Sequence, residues 1–582
     1  MARPNEEVEA LFQEYADLIS ITTGDAHRAR AYEKAARSIG GYDADVSRLD
    51  DKGLRAIPNV GSSIADKISE YLRTGRVSAV EEARTRVPAG VRQLTAIPML
   101  GPKRAKTLYE TLHVSSVPEL VEAIHAGRLR DLRGFGARSE EKILHGVELM
   151  QAAGDRVLLP VAGELAGEIV AALSAVTGCV RCEIAGSLRR MRETVGDVDI
   201  LVAARKSEPF MAAFTALPQA AEVVAEGPTK SGIRTRSGLR VDLRVVHPDA
   251  WGAALLYFTG SRAHNIKVRR IAQRQGLKLS EYGLFDAESG RRIVSRTEEK
   301  VYQRLGMPWI PPPLREDRGE IEAAQEGRLP EVLTRRQLRG DLHTHTDLTD
   351  GLATLEEMVR AAADEHGYSY YAITDHAPAL AMQRMTDEKI LQQREQVRRL
   401  GASLHKGPRL LHGTELNIAP DGGVDWPDGF LAGFDLCVAS VHSHFQQGRA
   451  AMTRRIVRAC ENPHVHVLGH LTTRLIGKRP GIDIDPDEVF AACARTGTAL
   501  EVNSQPDRLD VSDELILRAR GHGVKFAVDS DAHSVRALDG IRYGVGTAQR
   551  GWLTAEDVIN TWSRQRLLRF IEAKRRRGRP AG

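Results

Sequence analysis

A chain of 582 residues exceeds what one hydrophobic core supports and predicts about three to five domains. Its 42% hydrophobic and 27% charged residues are those of an ordinary globular protein. No run approaches the ~18 apolar residues of a membrane span, and the acidic start MARPNEEVEALFQEY lacks the basic-then-apolar order of a secretory signal. The net charge of +5 is uneven: residues 151–320 hold 25 Lys and Arg against 20 Asp and Glu. Within them, 228–280 carries eleven basic side chains against only Asp242 and Asp249, a field that suits a phosphate-bearing ligand. Five scattered cysteines suit a reducing cytoplasm, and the lone C-x-x-C of Cys179 and Cys182 reads as half-buried core thiols.

Three early segments repeat one pattern of apolar stretch, tight turn and helix-forming run. They are AIPNVGSSIADKISEYL (56–72), AIPMLGPKRAKTLYETL (96–112) and LRGFGARSEEKILHGV (132–147). Gly61, Gly101 and Gly136 precede the predicted helix starts, where glycine permits positive φ and lets a nucleic-acid backbone come close. The free N–H groups of the following turn can bind phosphate oxygens. One such turn is common; three resemble the helix-hairpin-helix motif, which grips DNA without reading its sequence.

From about 180 to 250 the pattern is strand-like, in CEIAGS, VDILVAA and LRVDLRVV. A Pro- and charge-rich stretch at 308–330 reads as a linker. Seven apolar segments then alternate with helical patterns, starting near 341, 370, 410, 434, 465, 499 and 525. That alternation predicts a parallel α/β barrel with polar residues at the strand C-termini, where such barrels build their sites. The tail KRRRGRP (574–580) reads as a disordered basic extension.

Asp197 and Asp199 lie two apart on a predicted strand and so share a face. Asp242, on another strand, can pair alongside. Three converging carboxylates repel one another unless divalent cations neutralise them, which implies Mg²⁺ or Mn²⁺. Gly186 and Ser187, at a strand-to-helix turn, offer donors to a triphosphate, and Arg190 adds charge. This G-S plus D-x-D pattern is shared across nucleotidyltransferases.

The segment Tyr257-Phe258-Thr259-Gly260-Ser261-Arg262-Ala263-His264-Asn265 through Arg269 resembles the nucleotide-binding helix of the family X DNA polymerases, the DNA polymerase beta family. By that resemblance Ser187, Arg190 and Gly196 contact the triphosphate, and Tyr257 and Phe258 lie against the incoming sugar. It also implies that Asn265 bonds the base and Arg269 senses the template. Arg262 stands where the vertebrate enzyme is acidic, so a cation there could instead hold phosphate or stack on the base. Lys67, with His27, Arg28 and Tyr32, resembles the family's deoxyribose-phosphate lyase pocket, although a lysine of the vertebrate motif is Ser63 here.

Thirteen of nineteen histidines fall between 343 and 533. His343, His345, Asp350, His376, Glu415, His442, His470, Asp531 and His533 occupy successive predicted strand ends, and their donors suit Zn²⁺, Mn²⁺ or Fe²⁺. The set resembles the PHP (polymerase and histidinol phosphatase) domain, which implies a trinuclear Mn²⁺ or Zn²⁺ cluster. His343, His345, Glu415 and Asp531 would hold one ion. Glu415 would bridge to a second held by His442 and His470, and Asp350, His376 and His533 would hold the third.

The expected architecture is multidomain, with α-helical helix-hairpin-helix domains at 1–90 and 91–150. An α+β nucleotidyltransferase palm at 151–250, a thumb-like nucleotide-binding domain at 251–315 and a linker at 316–338 follow. A C-terminal α/β (β/α)7 PHP barrel spans 339–575. The expected protein is a cytoplasmic, monomeric repair enzyme that takes gapped or primed DNA and dNTPs and uses no membrane. It would fill short gaps, as in base excision repair, and carry a 3′–5′ exonuclease or phosphoesterase. The alternative is a non-templated nucleotidyltransferase fused to a small-molecule phosphatase of histidinol-phosphate type.

Overall fold

Helical spacing governs the first 147 residues of the computed structural model, which describes residues 4–577 apart from 43, 96, 98–99, 133, 137–138, 145, 148–155, 381–384 and 405. Helix α1 (Pro4–Thr22) buries Val8, Phe12, Tyr15, Ala16 and Ile19, one stripe of a 3.6-residue repeat. It packs on α2 (Ala26–Gly40), whose N-cap Asp25 accepts from the backbone N–H groups of His27 and Arg28. Helices α3 (Ser62–Thr74) and α4 (Pro102–Leu112) start at Gly61 and Gly101, and Ser139 and Glu140 donate to the Gly136 carbonyl at a third start. One hydrophobic cluster runs from Val8 to Val147, across the boundary expected at 90.

The hairpin glycines do not use their left-handed freedom. Gly61 has φ −80 and Gly101 φ −50, and Gly136 is not among the positive-φ residues. A Cβ at any of the three would meet nothing within 4 Å, so the feature they leave is open space outside the turn.

Helix α5 (Leu159–Ser174) covers a five-stranded sheet of β1 (Arg181–Ile184), β2 (Asp197–Ala203), β3 (Ala220–Glu226), β4 (Lys230–Thr235) and β5 (Arg240–Val246). The order is β1-β2-β5-β4-β3, with β2 and β5 parallel and the other pairs antiparallel. A four-residue helix α6 (Gly186–Arg189) connects toward β2, and α7 (Trp251–Thr259) and α8 (Arg262–Arg274) follow the sheet. Cys179 and Cys182 are half-buried thiols packed against this core.

The C-terminal half is a seven-stranded all-parallel sheet in sequential order: β6 (Gly340–Asp341), β7 (Tyr370–Ile373), β8 (Arg409–Asn417), β9 (Leu436–Ser440), β10 (Val467–Leu468), β11 (Ala499–Asn503) and β12 (Phe526–Asp529). A parallel bridge between Thr344 and Ala532 joins its first and last strands, giving the expected (β/α)7 barrel. Helices α9 (Ile541–Arg550) and α10 (Arg564–Arg577) complete it. Among the described residues no helix is long and apolar enough to cross a membrane.

Two expectations are corrected. The stretch read as a linker is packed: Arg315 is fully buried against Glu298, and Leu314, Ile321 and Ala324 join the core formed with α7 and α8. Proline and charge conceal such packing in a sequence, because partners such as Arg550 for Glu316 and Asp513 for Arg318 lie far away in the chain. The tail is also ordered up to Arg577, with Lys574 buried and donating to the Cys460 carbonyl and the Thr498 hydroxyl. Residues 578–580 of that tail lie outside the described residues.

Candidate active sites

The first site sits where β2 and β5 run parallel, because that register sets Asp199 directly beside Asp242. Asp197 shares the Asp199 face at the start of β2. Burial, with Asp197 and Asp242 alongside, pushes the Asp199 carboxyl up to about 7. A divalent cation would reverse that shift, so these three side chains fit one. Arg240 pairs with Asp242 at 3.1 Å.

Gly186 has φ +63, and a Cβ there would lie 2.2 Å from Asp199 Oδ2. Only glycine therefore lets the G-S turn close on the carboxylates. Ser187 is half-buried on that turn, and at Gly196 a Cβ would lie 3.3 Å from Arg156 Nη1. Arg190 donates Nη1 to the Thr259 carbonyl at 2.8 Å and Nε to Glu316 at 3.0 Å. Burial raises the Glu316 carboxyl, and Arg190 and Arg550 more than offset it, holding the group below its usual range.

Tyr257 and Phe258 meet edge-on, centroids 5.1 Å apart, at the end of α7. The Arg269 guanidinium stands 5.2 Å over Tyr257, and Arg262 is exposed at the start of α8. The Asn265 amide donates to the Tyr257 and Gly260 carbonyls at 2.7 and 3.1 Å. It thus satisfies acceptors left open where α7 ends, a use the sequence reading did not foresee. Gly260 permits this approach, since a Cβ would lie 2.4 Å from Asn265 Oδ1. In the N-terminal domain Lys67 Nζ donates to the Ser63 carbonyl and hydroxyl, both at 3.0 Å, 6.0 Å from the Tyr32 ring. His27 is exposed, and exposed Arg28 donates to the Tyr15 hydroxyl.

The second site gathers all nine barrel residues at the strand C-termini. Glu415 is central: Oε1 lies 3.1 Å from His442 Nε2 and 2.9 Å from His470 Nε2. Its Oε2 lies 3.5 Å from His343, 3.7 Å from His345 and 2.9 Å from His376. Asp531 Oδ1 stands 3.1 Å from His345 Nε2, and Asp350 Oδ1 lies 3.4 Å from both His376 and His533. His345 also falls within the group of Asp350, His376 and His533, so its ring lies between two donor groups. His343 Nε2, His345 Nε2 and Glu415 Oε1 are buried without a hydrogen bond. Buried donors turned toward one another with no protein partner fit metal ions.

Side chains behind these donors went unnoticed in the sequence. Glu501 Oε1 lies 2.6 Å from His343 Nδ1, and Asn417 Oδ1 lies 2.7 Å from His442 Nδ1. Each leaves Nε2 for a ligand role. Their only sequence signal is a polar residue inside an apolar strand, in ALEVN and LLHGTELN. Asp375 anchors the loop carrying Asp350 by accepting from Thr346 and Thr349.

Four families match successive parts of the chain. They are the Helix-hairpin-helix domain (residues 3–77), the SAM-like Helix-hairpin-helix tandem (91–147), the DNA polymerase beta thumb (254–316) and the PHP domain (341–505). The DNA polymerase/3′-5′ exonuclease PolX of Bacillus subtilis (strain 168) is 34% identical over 571 residues, 98% of each chain. DNA polymerase lambda of Rattus norvegicus is 26% identical over 319 residues, 50% of this chain and 52% of its own. A probable phosphatase of Thermoanaerobacter sp. (strain X514) is 28% identical over 237 residues, 38% of this chain and 89% of its own.

Proposed function

The chain belongs to the family X DNA polymerases that carry a PHP domain, and from that membership we propose which side chains run its two reactions. It is a gap-filling, repair-type DNA polymerase with a 3′–5′ exonuclease, acting on DNA and dNTPs, and both domains depend on metal ions. The assignment of residues and of particular ions is our reading.

Asp197, Asp199 and Asp242 would hold Mg²⁺ or Mn²⁺, which supplies activation of the primer 3′-hydroxyl and charge neutralisation on the leaving pyrophosphate. The Gly186–Ser187 turn, Gly196 and Arg190 receive the triphosphate. Tyr257, Phe258 and Gly260 shape the sugar side of the pocket, and Arg262, Asn265 and Arg269 face base and template. Gly61, Gly101 and Gly136 admit the DNA backbone. In the barrel, the nine donors would hold a Mn²⁺ or Zn²⁺ cluster that supplies a water of lowered pKa. Glu415 spans two imidazole groups with its two oxygens, and Glu501 and Asn417 orient His343 and His442. A lyase step at Lys67 is part of the proposal. So are a cytoplasmic location, supported by five free thiols, and a monomeric state, since each cluster is completed within one chain.

The observation that carries this reading is two separate clusters, three carboxylates on adjacent inner strands of the sheet and nine donors in the barrel. A gapped duplex with a 3′-labelled strand in Mn²⁺, with and without dNTPs, separates them. Asp199→Ala should abolish incorporation and leave digestion intact. Glu415→Ala should abolish digestion and lower the metal content per chain while gap filling persists. Substantial extension by the first variant, or unchanged metal content and digestion in the second, would overturn the corresponding assignment.

A further inference from the structure

Arg190 does not stand alone beside the G-S turn. Glu316 Oε1 receives its Nε at 3.0 Å and also Arg550 Nη1 at 2.7 Å. Arg192 Nη1 lies 3.9 Å from the same oxygen. Arg550 belongs to α9 of the barrel domain, 360 residues away in sequence. Its Nη1 also donates to the Arg190 carbonyl at 2.9 Å, and its Nη2 holds Asp513 at 2.7 Å, a carboxylate shared with Arg318. The side chains of Arg190, Glu316 and Arg550 are 12%, 11% and 4% exposed, so water screens these charges little.

A second contact ties the same two elements. Met191, directly after Arg190, takes φ 57, and a Cβ on Gly546 of α9 would lie 2.5 Å from its Cε. Helix α9 therefore covers the turn that ends the G-S helix. A triphosphate reaching Arg190 must compete with Glu316 for the guanidinium. Arg550 takes up part of that carboxylate's attraction; without it, the pull on Arg190 grows.

We propose that Arg550 is a positioning residue of the polymerase nucleotide site, contributed by the PHP domain, which keeps Arg190 available to the triphosphate by sharing the Glu316 carboxylate. The inference rests on Arg190 being a triphosphate contact. It makes the barrel domain part of the polymerase's nucleotide selection machinery, not only a second enzyme on the same chain.

Gap-filling kinetics of the full chain test it, with Arg190→Ala as reference. Arg550→Ala should raise the KM for dNTP about five- to tenfold, a coupling of the size seen within buried ion networks, with kcat changed less than about twofold. Adding Glu316→Gln removes the competitor, and the double variant should return to within about twofold of the parental KM. Digestion of a 3′-labelled strand, unchanged throughout, reports that the barrel remains folded. If Arg550→Ala loses digestion, Arg550→Gln, which keeps a donor without the charge, takes its place with the same expectation. An unchanged KM in the Arg550 variant overturns the proposal, as does an equal rise with and without Glu316→Gln. An unchanged KM in Arg190→Ala would instead overturn the reading of Arg190 itself.

Discussion

At the scale of residues, the three-carboxylate site depends on what is absent as much as on what is present. The missing Cβ of Gly186 lets the G-S turn reach Asp199, and the missing Cβ of Gly260 lets Asn265 fold back on its own turn. Lys67 is a different case, a half-buried amine held by Ser63 at the open face of the first hairpin. If it attacks an abasic-site aldehyde, borohydride should trap a covalent protein–DNA adduct that Lys67→Ala removes. No adduct, or one that survives the substitution, would leave Lys67 as a phosphate contact.

At the scale of elements, the three hairpins share a geometry that separates binding from stability. Each glycine caps a helix start with nothing near its Cβ position, so an added side chain disturbs no packing. It would stand where a phosphodiester must approach the N–H groups of the first turn. Gly101→Leu, Gly61→Leu and Gly136→Leu are expected to weaken gapped-duplex binding about tenfold each, ~1.4 kcal/mol. Folding stability should fall by no more than about 1 kcal/mol, the advantage of glycine over leucine at an N-cap. Binding titrations at fixed salt and urea denaturation read the two effects. Unchanged affinity in all three variants would show that DNA does not approach these turns.

At the scale of the whole molecule, the N-terminal helices meet the barrel across a cleft of about 890 Å³ that includes Glu6, Glu9 and Asp17 on one side and Lys478 and Asp507 on the other. Burial pushes Glu9 up to about 7, with Glu6 and Asp507 raising it further and Lys478 and Arg536 opposing. A carboxyl raised in the folded state binds its proton more tightly there than in the unfolded chain. Its contribution is therefore fully present below about pH 4.5 and is lost as pH rises through about 7. Glu9→Gln mimics the protonated form. It should melt with the parent protein at pH 4 and ~2–4 °C above it at pH 8. An equal difference at both values would mean that Glu9 does not titrate on folding. This cleft, the Glu316 network and the burial of Leu509 and Tyr543 in the core of the five-stranded sheet join the two halves. The sequence had suggested separate units connected by a linker.

The barrel and both donor sets were legible without coordinates because their signals are local. Strand–helix alternation has a short period, D-x-D has a fixed face, and imidazoles at strand ends are rare enough to stand out. Resemblance to a known family then assigned roles to those residues. Most of what lay beyond reach shares one cause, a pairing between positions far apart in the chain. Glu501 meets His343 at a separation of 158 residues, and Glu316 meets Arg550 at 234. A charge in a sequence carries no mark of its partner, and Pro- and charge-rich composition describes a packed junction and a loose linker equally well. Likewise, glycine before a helix is visible as a letter, but whether it supplies a positive φ, as at Gly186, or only space, as at Gly101, depends on what surrounds it in the folded molecule.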